Sequence, residues 1–216
     1  MSGPAIERFE DGGAAADAAA AAIAAAIAAG VRARGVASLV LTGGRTPAPI
    51  YDRLAAMPLA WERVWITLSD ERRVEETSPA SNARLLRERL LVGPAAAARF
   101  VSLPHGGGAR LAAPRPFDLV LLGMGEDGHV ASLFPGSPVL AEGLSSAAPT
   151  IAVPAGADRP PTEERVSLAL RTLLDARRIV IFATGEAKLA VLTAPGGSPV
   201  DAVLHGPAPV RVIWSP

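Results

Sequence analysis

Short, continuous apolar runs alternate with stretches of helical periodicity along this chain. Val36 to Leu41, Val64 to Leu68, Leu119 to Leu122 and Arg178 to Ala183 are each apolar almost throughout and end in glycine or polar residues. Runs of this kind are expected of strands buried on both faces of a parallel sheet. Between them, Ala14 to Ala29 predicts a helix, because alanine has the highest helix propensity and Ile23 and Ile27 fall on one face, with Gly30 as the expected end. Ile50, Tyr51 and Leu54 carry a second helical period, Pro79 through Leu91 a third, and a further helix follows Thr184-Gly185-Glu186. The repeated strand and helix predict an α/β, Rossmann-like architecture: a mainly parallel sheet with helices on both faces. Glycine-containing turns then gather at the carboxyl edge of the sheet, where such folds bind ligands. Pro104 to Pro116 and Ala155 to Pro161 read as irregular connections too short to demand two domains. The expectation is a single α/β domain over residues 1–216.

Composition narrows the partners. Half of the 216 residues are apolar, and 21 basic side chains balance 21 acidic ones. No net field therefore draws in nucleic acid or a membrane surface, and any anion site must be local. The chain has no cysteine, which removes disulfides and thiolate chemistry and fits a reducing cytoplasm. Its histidines, His105, His129 and His205, are scattered, so no clustered metal site is expected. The alanine run lacks the basic start and cleavage pattern of a signal peptide, and Asp17 interrupts it, so a helix packed on a sheet is the reading. No pattern states the oligomeric state.

The candidate chemistry sits in the turns. Gly123-Met-Gly-Glu-Asp127-Gly-His129-Val-Ala-Ser-Leu-Phe134-Pro-Gly136 follows a predicted strand, so its glycines can bring backbone, imidazole and carboxylate to a cleft. His129 alone could be a satisfied core histidine; Asp127, two residues earlier, can orient the ring or cap a short helix expected to begin there. Thr42-Gly43-Gly44-Arg45-Thr46-Pro47 has the makings of a phosphate cradle, with glycine amides, a hydroxyl and a helix start, although it lacks the lysine and length of a P-loop. Asp70-Glu71-Arg72-Arg73 could be a solvated charge run, but its place after a strand lets an arginine grip an anion while a carboxylate binds hydroxyls or holds that arginine. Ser81-Asn82 could cap or brace this loop. Arg159-Pro-Pro161 with Arg165, and Lys188 at a helix start, are further anion contacts or plain surface residues.

Taken together, Thr42 to Pro47, Asp70-Glu-Arg72 with Ser81-Asn82, Gly123 to Gly136, and Arg159-Pro-Pro161 with Arg165 resemble the glucosamine-6-phosphate isomerase/6-phosphogluconolactonase family. The order and spacing hold along nearly the whole chain, and the long third motif is similar to the lactonase branch. The deaminase pattern continues after its histidine with Phe-Asn-Glu-Pro-Gly, its glutamate being catalytic, where this chain has Ser132-Leu-Phe134-Pro-Gly136. The resemblance implies a cytoplasmic enzyme that hydrolyses 6-phospho-D-glucono-1,5-lactone, a small sugar-phosphate lactone, to 6-phosphogluconate in the oxidative pentose phosphate pathway, with no metal or organic cofactor. Two departures stand out: a glycine- and proline-rich connection replaces a fuller helical segment between Val101 and Leu119, and Arg159 stands where the family often has lysine.

On this resemblance His129 is the expected general base, with Asp127 as its partner. The loop residues Gly43, Gly44, Arg45 and Thr46, with Arg72 and Arg159, are the main expected phosphate or substrate contacts, and Arg165 and Lys188 are second choices. Asp70 or Asp127 binds sugar hydroxyls or orients His129, and Ser132 is expected to pack or cap. The rival readings are an isomerase or deaminase acting on an amino sugar phosphate, and a non-catalytic sugar-phosphate sensor.

Overall fold

The computed structural model describes residues 5–103, 111–156, 161–194 and 196–216. The chain opens with β1 (Ile6–Arg8), α1 (Gly12–Arg34), β2 (Ala37–Leu41), α2 (Ala48–Ala55) and β3 (Val64–Leu68). It continues through β4 (Asp70–Arg72), α3 (Asn82–Arg89), β5 (Arg99–Phe100), β6 (Leu119–Leu122), α4 (Leu140–Ser145), β7 (Thr150–Val153) and β8 (Arg165–Leu168). It closes with α5 (Leu170–Leu174), β9 (Ile179–Thr184), α6 (Glu186–Thr193), α7 (Pro199–Leu204) and β10 (Val210–Ser215).

Seven strands form one sheet in the order β1-β10-β9-β6-β2-β3-β5, and every pairing in it is parallel. The four predicted apolar runs are its central strands, and β2 and β6 are buried at every position. From β2 the chain builds outward through β3 to β5; it then returns to the other side of β2 with β6 and builds outward again through β9 and β10. The order therefore reverses between β2 and β6, and the turns that leave these two strands, at Thr42 and Gly123, flank a crevice.

A second sheet was not expected from the sequence. β4, β8 and β7 pair antiparallel as a three-stranded layer, with Arg72 opposite Arg165 and Asp70 opposite Ser167. The run after β3 is therefore a strand and not a polar loop, and the alternating segment from Val166 is its partner.

Helix α1 packs on β2, β9 and β10, burying Ala15, Ala16, Ala19, Ala20, Ile23 and Ile27. Asp11 caps it by accepting from the Ala14 N–H at 2.8 Å. The predicted stop at Gly30 is corrected: the helix runs to Arg34 and ends at Gly35, whose φ of 76° is left-handed. Gly30 serves close packing instead, since a Cβ there would lie 2.9 Å from the Asp118 carboxylate. That carboxylate accepts from the Ser38 N–H at 2.8 Å and pairs with Arg34, fastening the helix end to β2 and β6. The third helix starts at Asn82, later than Pro79, because Ser81 is its N-cap and accepts from the Arg84 N–H at 3.1 Å.

Candidate active site

The Gly123 to Gly136 segment leaves β6 as a compact turn and forms no helix, so the expectation that Asp127 caps one is corrected. Asp127 Oδ1 instead accepts from the backbone N–H of His129 at 3.1 Å and lies 2.6 Å from the ring Nδ1. A carboxylate at that distance favours a proton on Nδ1, which in the neutral ring leaves the lone pair on Nε2. His129 is part of the cleft wall, with its side chain 28 % exposed. The loop is drawn tight beneath the ring. Gly125 donates to the His129 carbonyl at 3.0 Å, and a Cβ on Gly125 would fall inside contact distance of the imidazole and 2.5 Å from Asp127. Gly128 takes a φ of 80°, and its carbonyl accepts from the Val200 N–H at 3.0 Å, which ties the loop to α7. Ala131, which also faces the cleft, holds a φ of 51°, a conformation that L residues avoid and that clusters at functional loops.

Across the crevice, Thr42, Gly43, Gly44 and Thr46 form the second wall. The buried Tyr51 hydroxyl donates to the Thr42 carbonyl and fixes the point where β2 ends; burial pushes its phenol far above the usual range. Among the described residues, none accepts from the N–H groups of Gly44, Arg45 or Thr46. Gly44 has a φ of 95°, which such a turn needs. Gly43 is required for a different reason: the Asn82 amide lies directly on its Cα, with Nδ2 2.5 Å from where a Cβ would stand and Oδ1 closer still. Arg45 is exposed and is not part of the cleft wall.

The third wall is the small sheet. Arg72 and Arg165 are register partners in β4 and β8, so two guanidinium groups stand side by side at the cleft. Like charges directly opposite one another on a sheet repel. Among the described residues both Nε atoms are buried without a hydrogen-bond partner, while Arg72 donates to the Ala80 carbonyl through another nitrogen. Burial pulls the Arg165 guanidinium below its usual range, with Asp70 opposing and Arg72 adding to the shift. Among the described residues the carboxylates nearest this pair are Asp70 at 3.6 Å and Glu163 at 3.9 Å, both from Arg165.

The two carboxylates of this segment are already engaged. Asp70, 4 % exposed, accepts from Ser69 Oγ at 2.9 Å and Ser132 Oγ at 2.6 Å, with Arg165 at 3.6 Å. It makes no contact with His129, so of the two aspartates considered for orienting the ring it is Asp127 that touches it. Glu71 accepts from Arg72 N at 2.8 Å, Asn82 N at 2.8 Å, Ala83 N at 2.7 Å and Ser81 Oγ at 3.1 Å. It thereby seals the start of α3 and holds Asn82 over Gly43.

Lys188 reaches the cleft from the first turn of α6. Arg159 lies outside the described residues, as does part of the Pro104 to Pro116 connection. Ser132 and Asn82 were given only packing or bracing parts by sequence reasoning, yet Ser132 holds the Asp70 carboxylate and Asn82 faces the cleft. Phe134 is buried beside His129. Its ring centroid is 4.3 Å from that of His129, and the Arg165 guanidinium lies 5.3 Å over it. Among the described residues no three His, Asp or Glu side chains gather as metal ligands would.

The family described as glucosamine-6-phosphate isomerases/6-phosphogluconolactonase matches residues 10–214. A 6-phosphogluconolactonase of Caulobacter vibrioides is 44 % identical over 200 residues, covering 86 % of each chain. One from Mesorhizobium japonicum is 43 % identical over 202 residues, covering 86 % of this chain and 84 % of its own. The crystal structure of a 6-phosphogluconolactonase from Shewanella baltica superposes with a TM-score of 0.89 at 36 % identity, covering 98 % of this chain and 97 % of that one.

Proposed function

The chain belongs to the glucosamine-6-phosphate isomerase/6-phosphogluconolactonase family, and from that membership we propose that it hydrolyses 6-phospho-D-glucono-1,5-lactone to 6-phosphogluconate, as in the oxidative pentose phosphate pathway. The observation that carries this reading is the imidazole of His129, oriented by Asp127 and lining a cleft that the Arg72 and Arg165 pair also lines. A lactone is an ester, so its hydrolysis needs an activated water at one end. A dianionic phosphate at the other end needs fixed positive charge.

In this reading Nε2 of neutral His129 takes a proton from water as the water oxygen bonds to C1. The tetrahedral oxyanion then collapses, the bond from C1 to the ring oxygen breaks, and the imidazolium returns its proton to that oxygen. Lactone and water are consumed and the open-chain acid forms, which ionises at neutral pH. A positioned base of this kind contributes about 10²–10⁴-fold. The phosphate, gripped by Arg72, Arg165 and Lys188 with the Gly43 to Thr46 loop, lends binding energy that places C1 against the water. Asp127 supports the proton transfer by keeping Nδ1 protonated. Asp70, whose oxygens are already occupied, holds Arg165 and Ser132 in place.

Deaminase chemistry is less well supported. The position at which the deaminase pattern carries its glutamate is the buried Phe134, which neither accepts nor donates a proton.

The test is the rate of 6-phosphogluconate formation from freshly generated lactone, coupled to its dehydrogenase and corrected for spontaneous hydrolysis, with wild type and His129→Ala side by side. Turnover by wild type that is lost in the variant supports both reaction and base. Turnover retained by His129→Ala moves the base elsewhere, and lactone binding without turnover in wild type returns the reading to a sensor.

A further inference from the structure

The ring of Phe134 is 3 % exposed and touches both halves of the site. The imidazole of His129 leans on it at 4.3 Å with the planes 39° apart. The guanidinium of Arg165 lies 5.3 Å from its centroid. Among the described residues each neighbour has few other side-chain contacts. His129 is held at Nδ1 by an aspartate that is itself half exposed. Among the described residues Arg165 has a buried, unpartnered Nε and its nearest carboxylates are Asp70 at 3.6 Å and Glu163 at 3.9 Å. The register of β4 and β8 sets it against the like charge of Arg72. Asp70 opposes that repulsion from 3.6 Å, and the electron-rich face of the phenyl ring adds an attraction of a kind that strengthens as the pair is desolvated. A fixed aromatic wall also limits how far the imidazole can turn about its single carboxylate contact.

We propose that Phe134 is a positioning residue that sets the Arg165 guanidinium and the His129 imidazole relative to each other, so that one ring fixes the distance between the anion-holding and water-activating ends of the site. The inference rests on the functional reading of those two residues given above. An aliphatic side chain of similar size would fill the space but offer neither the π face nor the flat wall.

The experiment compares Phe134→Leu and Phe134→Met, which keep the apolar filling, with Phe134→Tyr, which keeps the ring, each checked for folding by urea unfolding. Three readouts are taken: binding of inorganic phosphate by calorimetry, the NMR signal of the His129 Nδ1 proton, and kcat and KM on phosphorylated and unphosphorylated gluconolactone. The two ringless variants are expected to bind phosphate roughly 3- to 30-fold more weakly, the range that a desolvated cation–π contact commands. They should also broaden or lose the Nδ1 proton signal. Their KM should rise on the phosphorylated lactone alone while kcat falls on both substrates, and Phe134→Tyr should restore phosphate binding and the proton signal. Wild-type phosphate affinity and an unchanged Nδ1 signal in the ringless variants would overturn the proposal. So would losses that follow the stability of all three variants regardless of the ring. If wild type turns over no lactone, the functional reading fails, while phosphate binding and the proton signal still decide the role of Phe134.

Discussion

Replacing Gly43 by alanine tests how the glycine loop and α3 are fitted together. The φ of Gly43 is not left-handed, so alanine meets no backbone obstacle; the obstacle is Asn82, whose Nδ2 would lie 2.5 Å from the new methyl with Oδ1 and Cγ nearer. Asn82 must then swing away and give up the 2.9 Å bond from Nδ2 to the Asp70 carbonyl, leaving a buried acceptor unpaired. Losses of that type cost about 1–3 kcal/mol. For a chain of this size about 2 kcal/mol corresponds to a fall of roughly 4–8 °C in Tm. In an Asn82→Ala background the methyl has room, and Gly43→Ala should be neutral or stabilising by up to about 1 kcal/mol, because alanine restricts the unfolded chain. Urea unfolding of the two single variants and the double variant closes a thermodynamic cycle, with an expected coupling of about 2–3 kcal/mol. The same displacement moves a cleft wall, so kcat/KM should fall by about 10²-fold in Gly43→Ala. A coupling below about 0.5 kcal/mol would refute the reasoning, since that is the level shown by sites that do not touch.

Gly44→Ala should behave differently. Its φ is 95° but the space around it is open, so it should lose about 1–2 kcal/mol in urea unfolding, with no coupling to Asn82. Glu71→Gln puts an amide among four donors and should lose about 2–3 kcal/mol by the same measurement; unchanged stability would mean that the carboxylate is not what seals α3. Arg72→Ala should lower kcat/KM roughly 10- to 100-fold on the phosphorylated lactone and far less on unphosphorylated gluconolactone, and equal losses on both would remove it from the phosphate site. The hydrogen bonds from Arg211 hold the Glu7 carboxyl below its usual range, despite some opposing desolvation. A depressed folded-state pKa stabilises the fold above the unfolded value and loses that contribution as the pH falls through the folded one. Glu7→Gln should therefore cost about 0.2–1 kcal/mol near about pH 7, small because both partners are over a third exposed, and the gap to wild type should close toward about pH 3. A gap that persists in acid would count against the ion pair as its source.

Much of this protein was legible without coordinates because the information is local. Buried parallel strands read as unbroken apolar runs, so β2, β3, β6 and β9 could be placed to within a residue or two. The glycine turns at their carboxyl ends then located the crevice. His129 and Asp127 are two residues apart on a glycine-tightened turn, and their contact is of a range that short sequence spacing can suggest. The errors arose where one residue type serves two physical purposes. Gly30 could end a helix or make room for Asp118, and Asp70 to Arg72 has too few residues to show a period of two, so a charged strand looked like a solvated loop.

Only the tertiary structure decided which distant side chains share a surface. Arg72 meets Arg165, Ser132 meets Asp70, and Asn82 lies on Gly43, through sheet register and helix placement set by burial across the whole core. The sequence by itself determined the four central strands and the glycine turns that leave them, since these follow from neighbouring residues. The pairing of the arginines and the placement of Arg165 over Phe134 follow from long-range packing, which no local pattern encodes.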